Sequence, residues 1–261
     1  MIGHLAGRFA ILRRSLHQHI PLWLRRPLLL PADTGGGATR PLGYNPRGHL
    51  VPAEGVAMLD VQGLAARRGD AELFAELDFA LEPGQVLFIR GPNGSGKTTL
   101  LRILAGATQA VAGHVRWRGQ AVRPFAPLMR ANVLFIGHAP ALKDELTTEE
   151  NLASLTSLHG AAAQPSALLE ALEIWSLARQ RALPARALSQ GQRRRTSLAR
   201  LQLVSRPLWL LDEPVTALDD AGAATLGGAL AVHLVHGGSA VIATHQDLPL
   251  SAGVSRSLRL E

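Results

Sequence analysis

Apolar and polar residues follow two periods along this chain. Unbroken apolar runs of strand length occur at Val86-Leu87-Phe88-Ile89 and Val133-Leu134-Phe135-Ile136, and again over 208–212 and 239–243. Runs of this kind predict strands buried on both faces. Met58-Leu59-Asp60-Val61 and Leu77-Asp78-Phe79-Ala80-Leu81 alternate instead, which predicts edge strands. His114 to Gly119 reads as a short strand with a turn, and Glu82-Pro83-Gly84 as a turn before the next strand. Thr99 to Leu104 predicts a helix with an apolar face. Residues 148–182 turn helical, with Leu152, Leu155 and Leu158, then Leu168, Leu169, Leu172, Ile174 and Leu177 on the apolar sides. The alternation of strand and helix from Met58 onward is that of an α/β domain. There is no internal repeat and no heptad pattern.

Residues 1–57 are different. They are rich in Pro, Gly, Arg and His and contain Gly35-Gly36-Gly37. Ile2, Leu5, Phe9, Leu12 and Leu16 make one face of a short basic helix that Pro21 and Pro27 would break. Three readings stand: an untranslated or disordered extension with the start at Met58, an amphipathic helix on a membrane surface, or a cleaved targeting segment, for which serine is scarce.

Composition narrows the picture. A chain of 261 residues with 47% apolar content suits one large domain, or one plus an appendage. It has no cysteine, so no disulfide framework and no thiolate metal site, which fits a reducing compartment. No run of 18 apolar residues exists to span a bilayer. The net charge of +7 suggests nucleic acid or a membrane surface. However, residues 1–57 hold seven arginines against two acids, while residues 58–261 hold 20 basic and 18 acidic residues. The excess lies in the extension, so the domain itself offers no nucleic-acid footprint.

The candidate chemistry begins with Gly91-Pro92-Asn93-Gly94-Ser95-Gly96-Lys97-Thr98. It matches G-x-x-x-x-G-K-[ST], sits between a predicted strand and a predicted helix, and continues into Thr99. Glycines let successive N–H groups face phosphate oxygens, and the helix that follows adds its positive dipole end. Lys97 would reach the β- and γ-phosphates, and Thr98 would ligate Mg²⁺. The chain has two lysines, Lys97 and Lys143, against 25 arginines. A compact ammonium fits a phosphate-cradling loop where a planar guanidinium does not. A glycine-rich turn with a solvated lysine is the plainer reading, and the flanking strand and helix argue against it.

A second constellation follows. Leu208-Trp209-Leu210-Leu211-Asp212-Glu213 is an apolar strand ending in two acids. Asp212 would hold Mg²⁺, and Glu213 would polarise an attacking water. Upstream lies Leu188-Ser189-Gln190-Gly191-Gln192, which resembles the LSGGQ signature of the ATP-binding-cassette (ABC) ATPases, with Gln190 in place of a glycine. Ala217-Leu218-Asp219 resembles that family's D-loop, and Ile242-Ala243-Thr244-His245 its switch-histidine strand. Five motifs in family order cover residues 58–261. The resemblance implies an α/β P-loop fold with a mixed sheet, a RecA-like core, an antiparallel β subdomain and a helical subdomain inserted at about residues 139–187. It also implies that Ser189, Gln190 and Gly191 bind the γ-phosphate of ATP held by a second copy. Asp219 would take part in that shared site, and His245 would act in hydrolysis. Arg193-Arg194-Arg195 read as a solvated basic face and receive no phosphate role.

Two positions depart from the family pattern. His138 stands where the Q-loop glutamine is expected; histidine can still ligate near Mg²⁺ but is titratable. Arg68 falls where an aromatic residue usually stacks on adenine; a guanidinium plane can stack on a base. Within the family, Leu134 to His138, the Lys143-x-Glu145-Leu146-Thr147-x-x-Glu150-Asn151-Leu152 stretch, Leu101 to Gly106, Arg194 to Leu201 and Pro207 to Pro214 resemble the ATP-binding subunits of cytochrome c maturation haem-export complexes. That resemblance implies an ATPase on the cytoplasmic face of a bacterial inner membrane. Its partners would be a second copy and an integral-membrane permease facing Pro140 to Asn151, with no nucleic acid. A cassette serving another cargo and a soluble ABC ATPase acting on ribosomes or DNA are the competing readings. His114, His159, His233 and His236 have no spacing that demands a metal.

Overall fold

A computed structural model describes residues 57–246, 248 and 254–261. The extension, including the face Ile2–Leu16, lies outside the described residues except for Ala57. Among the described residues, nine strands form two sheets. The first is antiparallel, in the order β2-β1-β4-β5, from β1 (Leu59–Arg68), β2 (Ala71–Leu81), β4 (Ala112–Trp117) and β5 (Gln120–Ala121). The second is parallel, in the order β6-β7-β8-β3-β9, from β3 (Val86–Arg90), β6 (Val133–Ile136), β7 (Leu208–Asp212), β8 (Ser239–Ala243) and β9 (Ser255–Arg259). The four predicted apolar strands are all in the parallel sheet. β1 is not an edge strand: it lies between β2 and β4. Alternation reports that one face is covered; it does not report how many neighbours bond the strand's edges.

Strand parity divides the parallel sheet into two cores. Val86, Phe88, Leu134, Ile136, Trp209, Leu211, Ala240 and Ile242 point to a helical layer. Leu87, Ile89, Val133, Leu208, Leu210, Val241 and Ala243 point the other way. There they meet helix α1 (Lys97–Leu104), through Leu100, Leu101, Ile103 and Leu104, and the inner face of the antiparallel sheet, through Leu59, Val61, Leu64 and Trp117. A short helix, α2 (Pro127–Asn132), leads directly into β6.

The helical layer comprises α3 (Thr148–Ser157), α4 (Pro165–Ile174), α5 (Gln190–Leu198) and α6 (Asp220–Val235). α3 starts at a capping box in which Thr147 and Glu150 bond each other's backbone N–H. α4 starts with Pro165, whose missing N–H costs nothing there. Leu152, Leu155, Leu168, Leu172, Leu177 and Trp175 are buried. Leu158, predicted on the same face, is 77% exposed because α3 ends at Ser157 and the chain turns. α5 packs on α3, and the turn at Ala199–Gln202 packs on both α3 and α4. At the far end of α6, His233 is buried and stacks on Trp209, with ring centroids 3.8 Å apart and planes 7° from parallel.

Candidate nucleotide site

The C-terminal ends of β3, β7 and β8 converge on one rim of the parallel sheet, where α/β sheets of this kind bind ligands. β3 feeds the loop 91–96, and Gly96 caps α1 with φ 93°. A side chain there would also meet Leu73 and Phe74 of β2 at 3.0 Å, so the hairpin of the antiparallel sheet lies over the loop. Glycine is required for both reasons.

Lys97 is 8% exposed, and its ammonium donates to the carbonyls of Gly91 (2.8 Å) and Pro92 (2.9 Å). It also lies 3.1 Å from His245 Nε2. Ser95 Oγ is buried and has no hydrogen-bond partner among the described residues. A buried hydroxyl without a partner beside an ammonium and a helix N-terminus fits a phosphate oxygen. Thr98 Oγ1 donates to Asp212 Oδ2 at 2.8 Å, joining α1 to the end of β7. Two oxygen donors from separate elements suit a hard cation, and both fit Mg²⁺. Thr99 follows them, half-buried, on the first turn of α1.

Glu213 directly follows β7 with φ 48°, uncommon for a residue with a side chain. Its N–H donates to the Ala243 carbonyl of β8 at 2.8 Å. Glu213 Oε1 lies 3.4 Å from His245 Nε2, which is also 3.2 Å from Asn93 Oδ1. One ring nitrogen therefore faces Lys97, Asn93 and Glu213. Lys97, Thr98, Asp212, Glu213 and His245 come from three separate stretches, and the fold brings them to one rim.

The other candidate residues lie apart. Ser189 caps α5: its Oγ accepts from the Gln192 N–H (3.2 Å), and Gln192 Oε1 accepts from the Ser189 N–H (2.9 Å). No hydrogen bond joins Ser189, Gln190 or Gly191 to the loop 91–98 among the described residues. Arg68 is exposed at the tip of the β1–β2 hairpin. His138 is exposed, and no hydrogen bond joins its ring to Thr98 or Asp212 among the described residues. Asp219 caps α6 by accepting from the Gly222 N–H (2.9 Å) and pairs with Arg195. The Gly222 bond and then Arg195 hold its carboxyl below the usual range.

The arginine triplet is not a solvated face. Arg193 donates to Asp144 (2.7 Å) and the Ala185 carbonyl (2.9 Å). Arg194 is 3% exposed and donates to the carbonyls of Gly137 (2.7 Å), His138 (3.2 Å), Asp212 (2.6 Å), Glu213 (2.8 Å) and Pro214 (3.3 Å). Burial pushes its pKa down to about 10, with Asp212 and Glu213 opposing, and it stays charged at neutral pH. A helix is 3.6 residues per turn, so one member of a triplet can be buried while its neighbours point elsewhere. That period offered a signal; the apolar pattern around it did not.

Residues 74–216 match the ABC transporter family. The chain is 44% identical over 203 residues to the cytochrome c biogenesis ATP-binding export protein CcmA of Dechloromonas aromatica, covering 78% of this chain and 100% of that one. It is 46% identical over 202 residues to the protein of that name from Pseudomonas putida, covering 77% and 96%. The chain belongs to the cytochrome c biogenesis ATP-binding export proteins of the ABC transporter family. Among solved structures, an ABC transporter ATP-binding protein from Pyrococcus furiosus superposes with a TM-score of 0.67 at 25% identity, over 77% of this chain and 96% of that chain. An ATP-binding cassette solved as a dimer in a post-hydrolysis state, bound to ADP and Pi, shares the fold with a TM-score of 0.63 at 23% identity, over 72% and 88%.

As a member of this ATP-binding export family the chain is an ATP hydrolase of the ABC type. Gly191 carries a testable constraint. A Cβ there would fall 2.7 Å from the Ala217 carbonyl. Gly191→Ala forces α5 away from the loop before α6. ATP affinity should stay within about twofold while turnover drops by about tenfold or more, since displacements near 1 Å are costly in catalysis. Nucleotide titration beside phosphate release checks both numbers.

Proposed function

We propose that this chain is the ATP-hydrolysing subunit of a cytochrome c biogenesis export complex, coupling ATP turnover to haem export or to release of a haem-loaded chaperone. The observation that carries it is the convergence of Lys97, Thr98, Asp212, Glu213 and His245 on one rim in a chain of this family. Lys97 and the loop N–H groups bind the β- and γ-phosphates. Thr98 and Asp212 hold Mg²⁺, which neutralises phosphate charge when bound. Glu213 accepts a proton from the attacking water, and His245, within reach of Glu213 and Lys97, orients that carboxylate and the γ-phosphate.

The phosphate site is completed by a second copy. Ser189, Gln190 and Gly191 open a nine-residue helix whose N–H groups suit a γ-phosphate. Within one chain they do not meet the loop that holds it, and a head-to-tail pair would bring them there. ATP binding then favours the closed pair and hydrolysis reopens it. No helix among the described residues is long and apolar enough to cross a membrane. The family's export role supports integral-membrane partners for passage of a cargo, with the segment Pro140 to Asn151 facing them at the cytoplasmic side.

The test is haem staining of c-type cytochromes in cells carrying only the Lys97→Ala form. Holocytochromes should fall to background while haem synthesis and apocytochrome export continue. Holocytochromes at wild-type levels would defeat the haem reading and leave a cassette for another cargo.

A further inference from the structure

The guanidinium of Arg194 has five N–H groups, and five main-chain carbonyls surround it. Nη1 serves Gly137 and His138 at the end of β6, Nη2 serves Asp212 and Glu213 at the end of β7, and Nε serves Pro214. Every donor of the planar fork is used, a match that the three donors of a lysine cannot reproduce. The charge is buried and meets carbonyl dipoles, and no carboxylate among the described residues bonds to it.

The position of these carbonyls matters more than their number. Glu213 sits at φ 48°, a strained conformation for a residue with a side chain that persists only where its surroundings hold it. Three bonds hold it here: its N–H donates to Ala243, and its carbonyl accepts from Arg194 (2.8 Å) and, at the longer distance of 3.2 Å, from the Thr216 N–H. The direction of the Glu213 carboxylate toward His245 follows from that backbone. Arg194 belongs to α5, five residues after Ser189, so a shift of that helix acts directly on the Glu213 and His138 peptides.

We infer that Arg194 is a positioning residue for ATP hydrolysis: from the signature helix it holds the Glu213 backbone, and the start of the loop at His138, in the geometry that aims the Glu213 carboxylate. This rests on the reading of Glu213 as the group that accepts the water's proton.

The experiment compares full-length wild type with Arg194→Lys, Arg194→Gln, Glu213→Gln and the Arg194→Lys/Glu213→Gln double variant, measuring ATP turnover and ATP affinity. Arg194→Lys should lose about tenfold or more in turnover with affinity within about twofold. In the Glu213→Gln background it should change the residual rate by less than about twofold, because the group it positions is already gone. Full turnover in Arg194→Lys overturns the inference. So does a weaker affinity at unchanged turnover, or a loss that simply adds to that of Glu213→Gln. If both Arg194 variants unfold, the arginine serves the fold alone and the inference falls. If Glu213→Gln by itself turns over normally, the reading of Glu213 falls and takes the inference with it, an outcome visible without any Arg194 variant.

Discussion

Glu213→Gln should reduce ATP turnover by about 100-fold or more, the range expected when a positioned general base is lost, while ATP remains bound. The substitution keeps the shape of the side chain and removes its negative charge and its capacity to take a proton. The backbone at 213 stays held by Ala243 and Arg194, and the Thr98–Asp212 pair is untouched. Lys97 keeps its place in the loop. Binding and chemistry should therefore separate, and the variant should accumulate as an ATP-bound pair of chains. Phosphate release and light scattering with ATP and Mg²⁺ measure the two effects. A variant that hydrolyses ATP at the wild-type rate refutes the role of Glu213.

The second large effect is on stability in mild acid. His233 is buried against Trp209, and its Nε2 lies 3.1 Å from the Ser239 carbonyl. Burial pushes its pKa down to about 4, with the nearby His236 adding to the shift and backbone carbonyls opposing it. Below pH 6.5 the unfolded chain takes up a proton that the folded chain refuses until about pH 4. Stability is therefore full above pH 6.5 and falls as pH drops through that window, by about 2 kcal/mol between pH 7 and pH 5 from this group. His159, half-buried and beside Arg200 and Arg206, is shifted in the same direction and adds a smaller share. His233→Phe keeps the stack on Trp209 and removes the titration. It should cost about 1–3 kcal/mol at pH 7, where the Ser239 carbonyl loses its partner, and it should flatten the acid limb. Denaturant unfolding at pH 7 and pH 5 decides the matter: an unchanged loss between the two pH values in His233→Phe would remove His233 from the account.

The residues that meet at the rim were legible in the sequence because each belongs to a pattern confined to a few consecutive positions. Lys97 and Thr98 end a glycine-rich turn, and Asp212 and Glu213 end an apolar strand; each pattern is local. The four parallel strands were legible for a similar reason, since burial on both faces leaves an unbroken apolar run. β9 was not, because Ser255-Arg256-Ser257-Leu258-Arg259 is polar and largely exposed; it is held by its ladder to β3. The first half of β2 likewise carries no apolar alternation and is ordered by pairing with β1.

The sequence by itself determined the motifs, their order and the apolar strands that carry them, because side-chain type within a short stretch settles each of these. Only the tertiary structure decided which of three consecutive arginines is buried. It also decided that Asp219 spends its carboxylate on α6 and Arg195, and that His245 reaches Lys97, Asn93 and Glu213 together. Those outcomes depend on where α5 and α6 lie against the ends of β6, β7 and β8, and such packing joins residues far apart in the chain that no local pattern relates.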